Sequence, residues 1–388
     1  MPKALFCACN SWFNHSQVGS HHLARGLARK GWQVAFISDP VSPAHVLGGV
    51  TPELAARFRL WVDGGSWVEE NIFTWLPTTL LAPHNKPLLR SEWVANNWHR
   101  LALPSILTKI RRAGFGEVDL LYVDSPTQAY WWKDISYTKG VYRLADAPSG
   151  FVGKHTHAAQ RALQDAVKHL DALVYTAPSL RGLAESLRPD KQYLLPNGVD
   201  SRHFSVPTPC PPEYNEDNRP IVVYVGVMEE WFDFTWVDHA ATQLPHYRFV
   251  LIGPEKLAKE KLVSRENVSI IGPRPFQTLP GYLQHASVGI VPFDTGKWGE
   301  LIRSINPLKL YEYMTCGLPV VASRWETLEQ LASPALLVDN VQGFCEAIQT
   351  AVEQKATLGA LGREFALRYD WQTRVDSLLE ILGVDSTQ

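Results

Sequence analysis

The stretch from Asn306 to Ser323, NPLKLYEYMTCGLPVVAS, places a lysine near the start of a helix whose limits are marked in the sequence itself. Asn306 is a good cap, Pro307 suits the first helical position, and Gly317 and Pro319 supply the stop. The apolar run Leu318 to Ala322 then reads as a buried strand. A helix amino end already carries partial positive charge, so Lys309 is disfavoured there unless something negative is bound beside it. Lys309, Glu312 and Tyr313 follow one another at helical spacing and share one face. That face reads either as a ligand site or as a surface with a lysine–glutamate pair contributing a few tenths of a kcal/mol.

Working outward, the same alternation of strand and helix recurs. Upstream lie the strand of RPIVVYVGVMEE, the helical FDFTWVDHAATQL, the strands YRFVLIG and NVSIIG, a helix near LPGYLQHA and the strand VGIVPF. The start of the chain repeats the pattern, with a strand over residues 3 to 9, the loop NSWFNHSQVGS, the helix HHLARGLARKG and the strand WQVAFIS. This is the repeating unit of a parallel doubly wound α/β sheet, whose ligands bind outside the carboxyl ends of the strands. Between the two series, SVPTPCPPEYNEDNRP (205–220) has five prolines and no hydrophobic period, which predicts a linker. The 388 residues, 45% hydrophobic and 20% charged, leave room for two domains with separate cores.

Composition narrows the function. Five scattered cysteines (7, 9, 210, 316 and 345) form neither metal-ligand pairs nor a disulfide framework, as expected of a cytoplasmic chain. The opening MPKALFCACNSW is too short and wrongly flanked for a signal peptide, and no stretch has the length to cross a bilayer. The expectation is a soluble or peripheral protein. The net charge of -2 hides an asymmetry: residues 1 to 170 hold 18 Lys+Arg against 12 Asp+Glu, and the remainder 19 against 27. A basic first half suits an anionic surface or substrate. Neither a Gly-x-Gly-x-x-Gly fingerprint nor a Walker lysine loop is present, and GFGEVD (114–119) lacks the third glycine, so dinucleotide binding is disfavoured.

Several segments in order resemble the group 1 glycosyltransferases of the GT-B fold: PNGVD with Phe204, YVGVMEEWFDF, FVLIGP, IIGPRPFQTLPGYLQHASVGIVPF, NPLKLYEYMTCGLPVVAS and FALRYDWQTRVDSLLEIL. The first half matches more loosely, through GSHHLARGLARKGWQVAFIS and LLYVDSP. EEWFDF and PLKLYEY look most like the branch with the teichuronic acid glycosyltransferases and the xanthan glucuronosyltransferase GumK. The resemblance implies two facing Rossmann-like domains with a cleft between them. They would comprise an acceptor-binding domain (1–204), the linker (205–220), a nucleotide-sugar-binding domain (221–365) and a C-terminal helix crossing back (366–388). It further implies a sugar moved from a uridine diphosphate (UDP) donor to a glycan acceptor in cell-surface or exopolysaccharide synthesis.

Residue by residue, the resemblance puts the donor diphosphate at the amino end of the helix, against Asn306, Pro307, Leu308 and Lys309. Glu312 would lie on the ribose diol. Gly226 and Met228 would line the phosphate or sugar side, with Pro273 and Arg274 at the nucleobase. Phe276 either packs the base or joins the core. Gly19, His21 and His22 open the first helix toward the cleft, to touch acceptor or phosphate. Adjacent histidines lie on different helix faces, which disfavours a joint metal site.

No Asp-x-Asp pair occurs, so a metal-independent reaction without a cofactor is expected, with helix dipole and lysine neutralising the leaving group. Asp146, in VYRLADAPSGF, is the candidate base for an inverting transfer, with a loop-capping role as its alternative. Many family members carry a second glutamate eight residues before Glu312; here Ser304 stands in that place. That substitution tilts the reading toward inversion and opens the alternative of a non-catalytic nucleotide-sugar binding protein. Retaining chemistry follows if Asp146 is not the base, and a nucleotide-sugar 2-epimerase, which shares the two-domain architecture, is the other alternative.

Residues 84–112 carry six Lys+Arg, one Glu and two tryptophans, which suits either an anionic membrane interface at the inner leaflet or a solvated helical face. Lipid-linked acceptors are common among relatives in polysaccharide assembly. Nucleic acid is disfavoured by a pI near 6.7 and the lack of a recognisable module.

Overall fold

The computed structural model describes residues 1–14, 17–42, 52–83, 89–146, 157–215 and 218–384. The chain divides into two compact units, Met1–Pro196 with Arg374–Gln388, and Asn197–Thr373.

In the first unit the strands are β1 (Lys3–Ala8), β2 (Gln33–Ser38), β3 (Ser66–Glu69), β4 (Ile72–Trp75), β5 (Glu117–Val123), β6 (Ser136–Leu144), β7 (Ala172–Tyr175) and β8 (Gln192–Leu194). They form one sheet in the order β3-β4-β2-β1-β5-β6-β7-β8, parallel throughout except for β3 against β4. Its central strands are buried on both faces, from Ala4 to Ala8 and from Leu120 to Val123. A parallel sheet needs such apolar runs because its crossover helices cover both sides. Chain order reverses between β1 and β5.

The second unit carries β9 (Ile221–Val225), β10 (Arg248–Ile252), β11 (Val268–Ile270), β12 (Val288–Val291), β13 (Val320–Ser323) and β14 (Leu336–Val338). The sheet is wholly parallel in the order β11-β10-β9-β12-β13-β14, so here the order reverses between β9 and β12. Both units thus have the doubly wound topology expected from the alternating pattern, each with a switch point where ligands characteristically bind.

The boundaries fall elsewhere than predicted. The second unit begins at Asn197 because Val199 and Phe204 are buried in its core. The proline-rich 205–220 stretch is no free linker over its described part. Tyr214 is buried in the same core, and the Glu213 carboxylate accepts from Arg274 Nη2 and from Tyr282 Oη, both at 2.9 Å. Prolines remove the hydrophobic period without preventing packing. The C-terminal helix spans Trp371–Leu382, and the chain joins the first unit from Arg374, where Lys30 Nζ meets Asp376 Oδ1 at 2.6 Å.

Among the described residues no helix is long and apolar enough to cross a membrane. Of the basic segment, residues 84–88 lie outside the described residues. The rest forms the helix Glu92–Asn97, a 3-10 turn at Trp98–Leu101 and the helix Ile106–Arg112. Only one of its tryptophans faces outward: Trp93 is 58% exposed, whereas Trp98 is fully buried and donates to Thr127 O.

Candidate functional site

At the second unit's switch point, β9 ends at Val225 and Gly226 follows with φ +145°, a conformation suited to glycine. A Cβ there would also lie 2.8 Å from Lys309 Nζ. The helix Leu308–Thr315 delivers that lysine. Its tyrosine at 313 holds the helix in place, the hydroxyl accepting from Val225 N at 2.6 Å and the ring lying against Gly289 of β12, where a side chain would collide with it.

The lysine and glutamate do not form the i,i+3 pair that was the plainer alternative. Lys309 Nζ donates to Tyr224 Oη at 2.9 Å and sits 4.4 Å from the Tyr224 ring centroid and 5.0 Å from that of Phe293. Among the described residues, this phenol is the ammonium's only hydrogen-bond partner. Burial lowers the Lys309 pKa to about 8, with Glu312 opposing the shift, and burial raises the Glu312 pKa to about 7, with Lys309 opposing it. Each group is short of compensation in the fold. An anion against the lysine and hydroxyls against the glutamate would supply it.

The helix start differs from the prediction. Pro307 occupies the cap position and no side chain caps the helix. Asn306 is instead buried, its Oδ1 accepting from Tyr311 Oη at 2.8 Å and its carbonyl from Asn197 Nδ2 at 2.7 Å. Tyr311, one turn on, competes for the asparagine and wins. The backbone N–H groups at Leu308 and Lys309 are consequently left uncapped by a side chain, which is the arrangement an anion exploits.

Other predicted donor residues lie further into the structure. Met228 is 2% exposed and packs in the core. Arg274, placed by expectation at the nucleobase, is instead tied to Glu213 and Tyr282, with Tyr282 Oη 3.0 Å from its Nε and its Nη1 donating to the carbonyl of the adjacent Pro273. A carboxylate in the supposed linker captures the guanidinium. Phe276 stacks on His203 at 4.4 Å and meets Phe204 edge-on, the packing outcome. Ser304 is buried, its hydroxyl donating to Leu301 O at 3.4 Å.

In the first unit, three carboxylates gather beyond the carboxyl ends of β2, β5 and β6. Asp39 Oδ1 accepts from Ser125 Oγ at 2.6 Å and Gln128 Nε2 at 3.2 Å, and burial raises its pKa to about 6. Asp124 Oδ1 accepts the Cys9 N–H at 3.0 Å. Burial raises its pKa, with the Arg143 guanidinium pulling it back. Asp146 is raised by burial and lowered by the same arginine, and among the described residues nothing donates a hydrogen bond to it. Of the three, Asp146 alone has no hydrogen-bond donor among the described residues.

Arg143 itself is buried and lies over the start of the helix Gly19–Arg29, where a Cβ on Gly19 would collide with its guanidinium. Gly19 is therefore a packing glycine. His21 also departs from its predicted role. It is fully buried, its Nδ1 accepting the Val18 N–H at 3.2 Å and its Nε2 lying 3.0 Å from Ser11 O, between the rings of Trp12 and Phe36. Burial lowers its pKa to about 4, so it is a neutral structural histidine. His22 is buried as well.

Sequence reasoning missed Tyr224, Phe293, Asp39, Asp124 and Arg143. One signal was available: strand periodicity puts Tyr224 on the side of Gly226. Phe293 and the carboxylates come from separate strands, and only the sheet order joins them.

Residues 219–354 match the family "Glycosyl transferases group 1", and residues 6–176 match "Glucuronosyltransferase GumK, N-terminal domain". Over 208 residues the chain is 24% identical to the Bacillus subtilis (strain 168) protein TuaH, assigned as a teichuronic acid biosynthesis glycosyltransferase; the match covers 50% of this chain and 51% of TuaH. The chain therefore matches about half the length of that curated relative. Among solved structures, sucrose-phosphate synthase from Thermosynechococcus elongatus superposes with a TM-score of 0.70 at 17% identity, covering 98% of both chains. Anabaena HepE in complex with UDP-glucose gives 0.66 at 17% identity, covering 98% of this chain and 99% of HepE. The E. coli trehalose-6-phosphate protein bound with UDP-2-fluoro glucose gives 0.66 at 12%, covering 98% of both. At these identities the likeness establishes the shared α/β fold.

Proposed function

We propose that this chain, which belongs to the group 1 glycosyltransferases of the GT-B fold and carries a GumK-type N-terminal domain, moves a sugar from a UDP-sugar donor to a glycan acceptor. The observation carrying this reading is the half-buried Lys309 ammonium beside Gly226 at the switch point, bonded only to a neutral phenol among the described residues. The donor diphosphate would meet that ammonium and the uncapped N–H groups of the helix, while Glu312 accepts from the ribose diol. As the glycosidic bond to the leaving oxygen breaks, charge grows on the diphosphate, and Lys309 stabilises it without a metal ion.

Asp146 is the base of our reading. Its carboxylate takes the acceptor hydroxyl proton as that oxygen attacks the anomeric carbon, giving inversion. That no described residue donates to it supports the choice over Asp39 and Asp124, which accept from internal donors. The acceptor is a cell-surface or exopolysaccharide glycan, lipid-linked at the inner face of the membrane. Exposed Trp93 and Leu103, at 58% and 68%, with Arg100, Arg111 and Arg112 exposed nearby in sequence, support peripheral contact there.

The test begins with thermal melts of the wild type and Glu312→Ala in uridine, guanosine and adenosine diphosphates, with and without magnesium. A nucleotide at a hundred times its Kd stabilises by about 2.7 kcal/mol, a few degrees in a chain of this size. We expect a shift with UDP that magnesium does not alter and that fades in the variant. No shift with any diphosphate would remove the donor site. Ser304, in place of the family's earlier glutamate, motivates a second reading as a nucleotide-sugar binder without turnover. Release of UDP from a UDP-sugar and acceptor mixture decides between the two.

A further inference from the structure

Lysine ammonium groups sit on four-carbon stems that cost side-chain entropy to fix. At Lys309 the stem is half-buried, and the Glu312 carboxylate one turn away would be the ordinary partner. The ammonium goes to Tyr224 instead. The Tyr224 hydroxyl donates to Val227 O at 2.8 Å, which directs its lone pairs toward Nζ at 2.9 Å. Its ring packs on Phe232 at 4.7 Å, and Phe232 pairs in an antiparallel bridge with Phe293, the second ring beside the ammonium. Asp233 N to Pro292 O and Asp294 N to Trp231 O, both 2.8 Å, lace the loop after β9 to the loop after β12 around this bridge. The cation's surroundings are therefore assembled from both strands of the switch point.

A carboxylate holding the lysine would cancel much of its charge. A buried neutral phenol fixes the ammonium and leaves the charge for a ligand, and the two ring faces attract the cation in the same sense. We propose that Tyr224 is the positioning residue for Lys309, holding its ammonium where the donor diphosphate is met while leaving its charge uncancelled. This rests on the reading of Lys309 given above. Tyr224 touches neither substrate nor reacting atoms in this role; it acts through the lysine.

The test is a double-mutant cycle read by calorimetric UDP binding at pH 7 and by UDP-sugar turnover. Tyr224→Phe keeps the ring and removes the acceptor. It is expected to weaken UDP about tenfold and to lower kcat at saturating donor, and Lys309→Met to weaken UDP about tenfold to a hundredfold. In the Lys309→Met background, Tyr224→Phe should change the Kd by less than about twofold. Equal losses in both backgrounds would mean that Tyr224 supports only the fold and would overturn the proposal. Lys309→Met weakening UDP while Tyr224→Phe binds like wild type would also overturn it and would leave the donor-site reading intact. Unchanged binding in Lys309→Met itself would overturn the donor-site reading. If Tyr224→Phe melts early, Phe293→Leu takes its place in the cycle, with an expected loss of about threefold that likewise disappears in Lys309→Met.

Discussion

The two units repeat one topology and treat the charge at its switch point in opposite ways. In the first, Arg143 over the amino end of Gly19–Arg29 has carboxylates of the chain for company, and Asp124 bridges the ends of β1 and β5 through the Cys9 N–H. In the second, Lys309 beside the end of β9 has the Tyr224 phenol and the Phe293 ring. A buried cation with an internal counter-ion is a structural element, because removing one partner leaves the other desolvated and unpaired. A half-buried cation whose bonded partner is neutral keeps its charge for something else. The same fold thus carries a cation among carboxylates in one unit and, in the other, a cation held by a neutral group, which is the arrangement our proposed donor site uses.

Substitutions can break this contrast. The largest expected effect is on turnover: Asp146→Asn should lower kcat by about a hundredfold to ten-thousandfold while UDP binding and melting temperature stay put, measured as UDP release. Loss of UDP affinity alongside kcat would move Asp146 out of the role of base. Next, Asp124→Asn should destabilise the protein by about 3 kcal/mol in thermal or urea unfolding, since the Arg143 guanidinium keeps its burial and loses compensation. Lys309→Met should not lower the melting temperature of the nucleotide-free protein, because a desolvated ammonium is removed. If both variants destabilise alike, the contrast between the units fails.

Acidity sharpens it further. An ammonium titrating near pH 8 in the folded protein is charged below that value, so UDP affinity should decline as pH rises through about 8. Lys309→Arg should carry the affinity to higher pH, as calorimetry across pH 7 to 9.5 would reveal. The smallest effect concerns His21. Unfolded, it takes its proton near 6.5; folded, only near 4. Between those values the unfolded chain binds the extra proton, so stability falls as the pH falls from 6.5 toward 4 and the penalty is absent above that window. Urea unfolding at pH 7.5, 6 and 5 should reveal the slope, with His21→Asn flattening that part of it.

Much of the architecture was legible because it is written in local patterns. Apolar runs closed by glycine, the cap-and-stop signals around 306–323 and the alternation with amphipathic helices specify two parallel doubly wound units without reference to any distant contact. The electrostatic oddity of Lys309 was legible for the same reason, since a helix dipole is a local property. Gly226 showed itself through its place at the end of a strand.

What the sequence could not disclose is which polar group each side chain would choose. Asn306 reads as a cap and is taken by Tyr311; Arg274, placed at the nucleobase by resemblance, is held by Glu213. Lys309 passes over its neighbour on the helix for a tyrosine on a strand 85 residues away. These choices depend on distances set by sheet order and on desolvation, neither of which is a function of sequence spacing. The sequence by itself determined the elements, their alternation and the unusual lysine. Only the tertiary structure decided that Asp39 and Asp124 are bound by internal donors, that His21 is buried and neutral, and that a phenol holds the cation, because burial and hydrogen-bond competition are settled only when strands far apart in the chain are brought together.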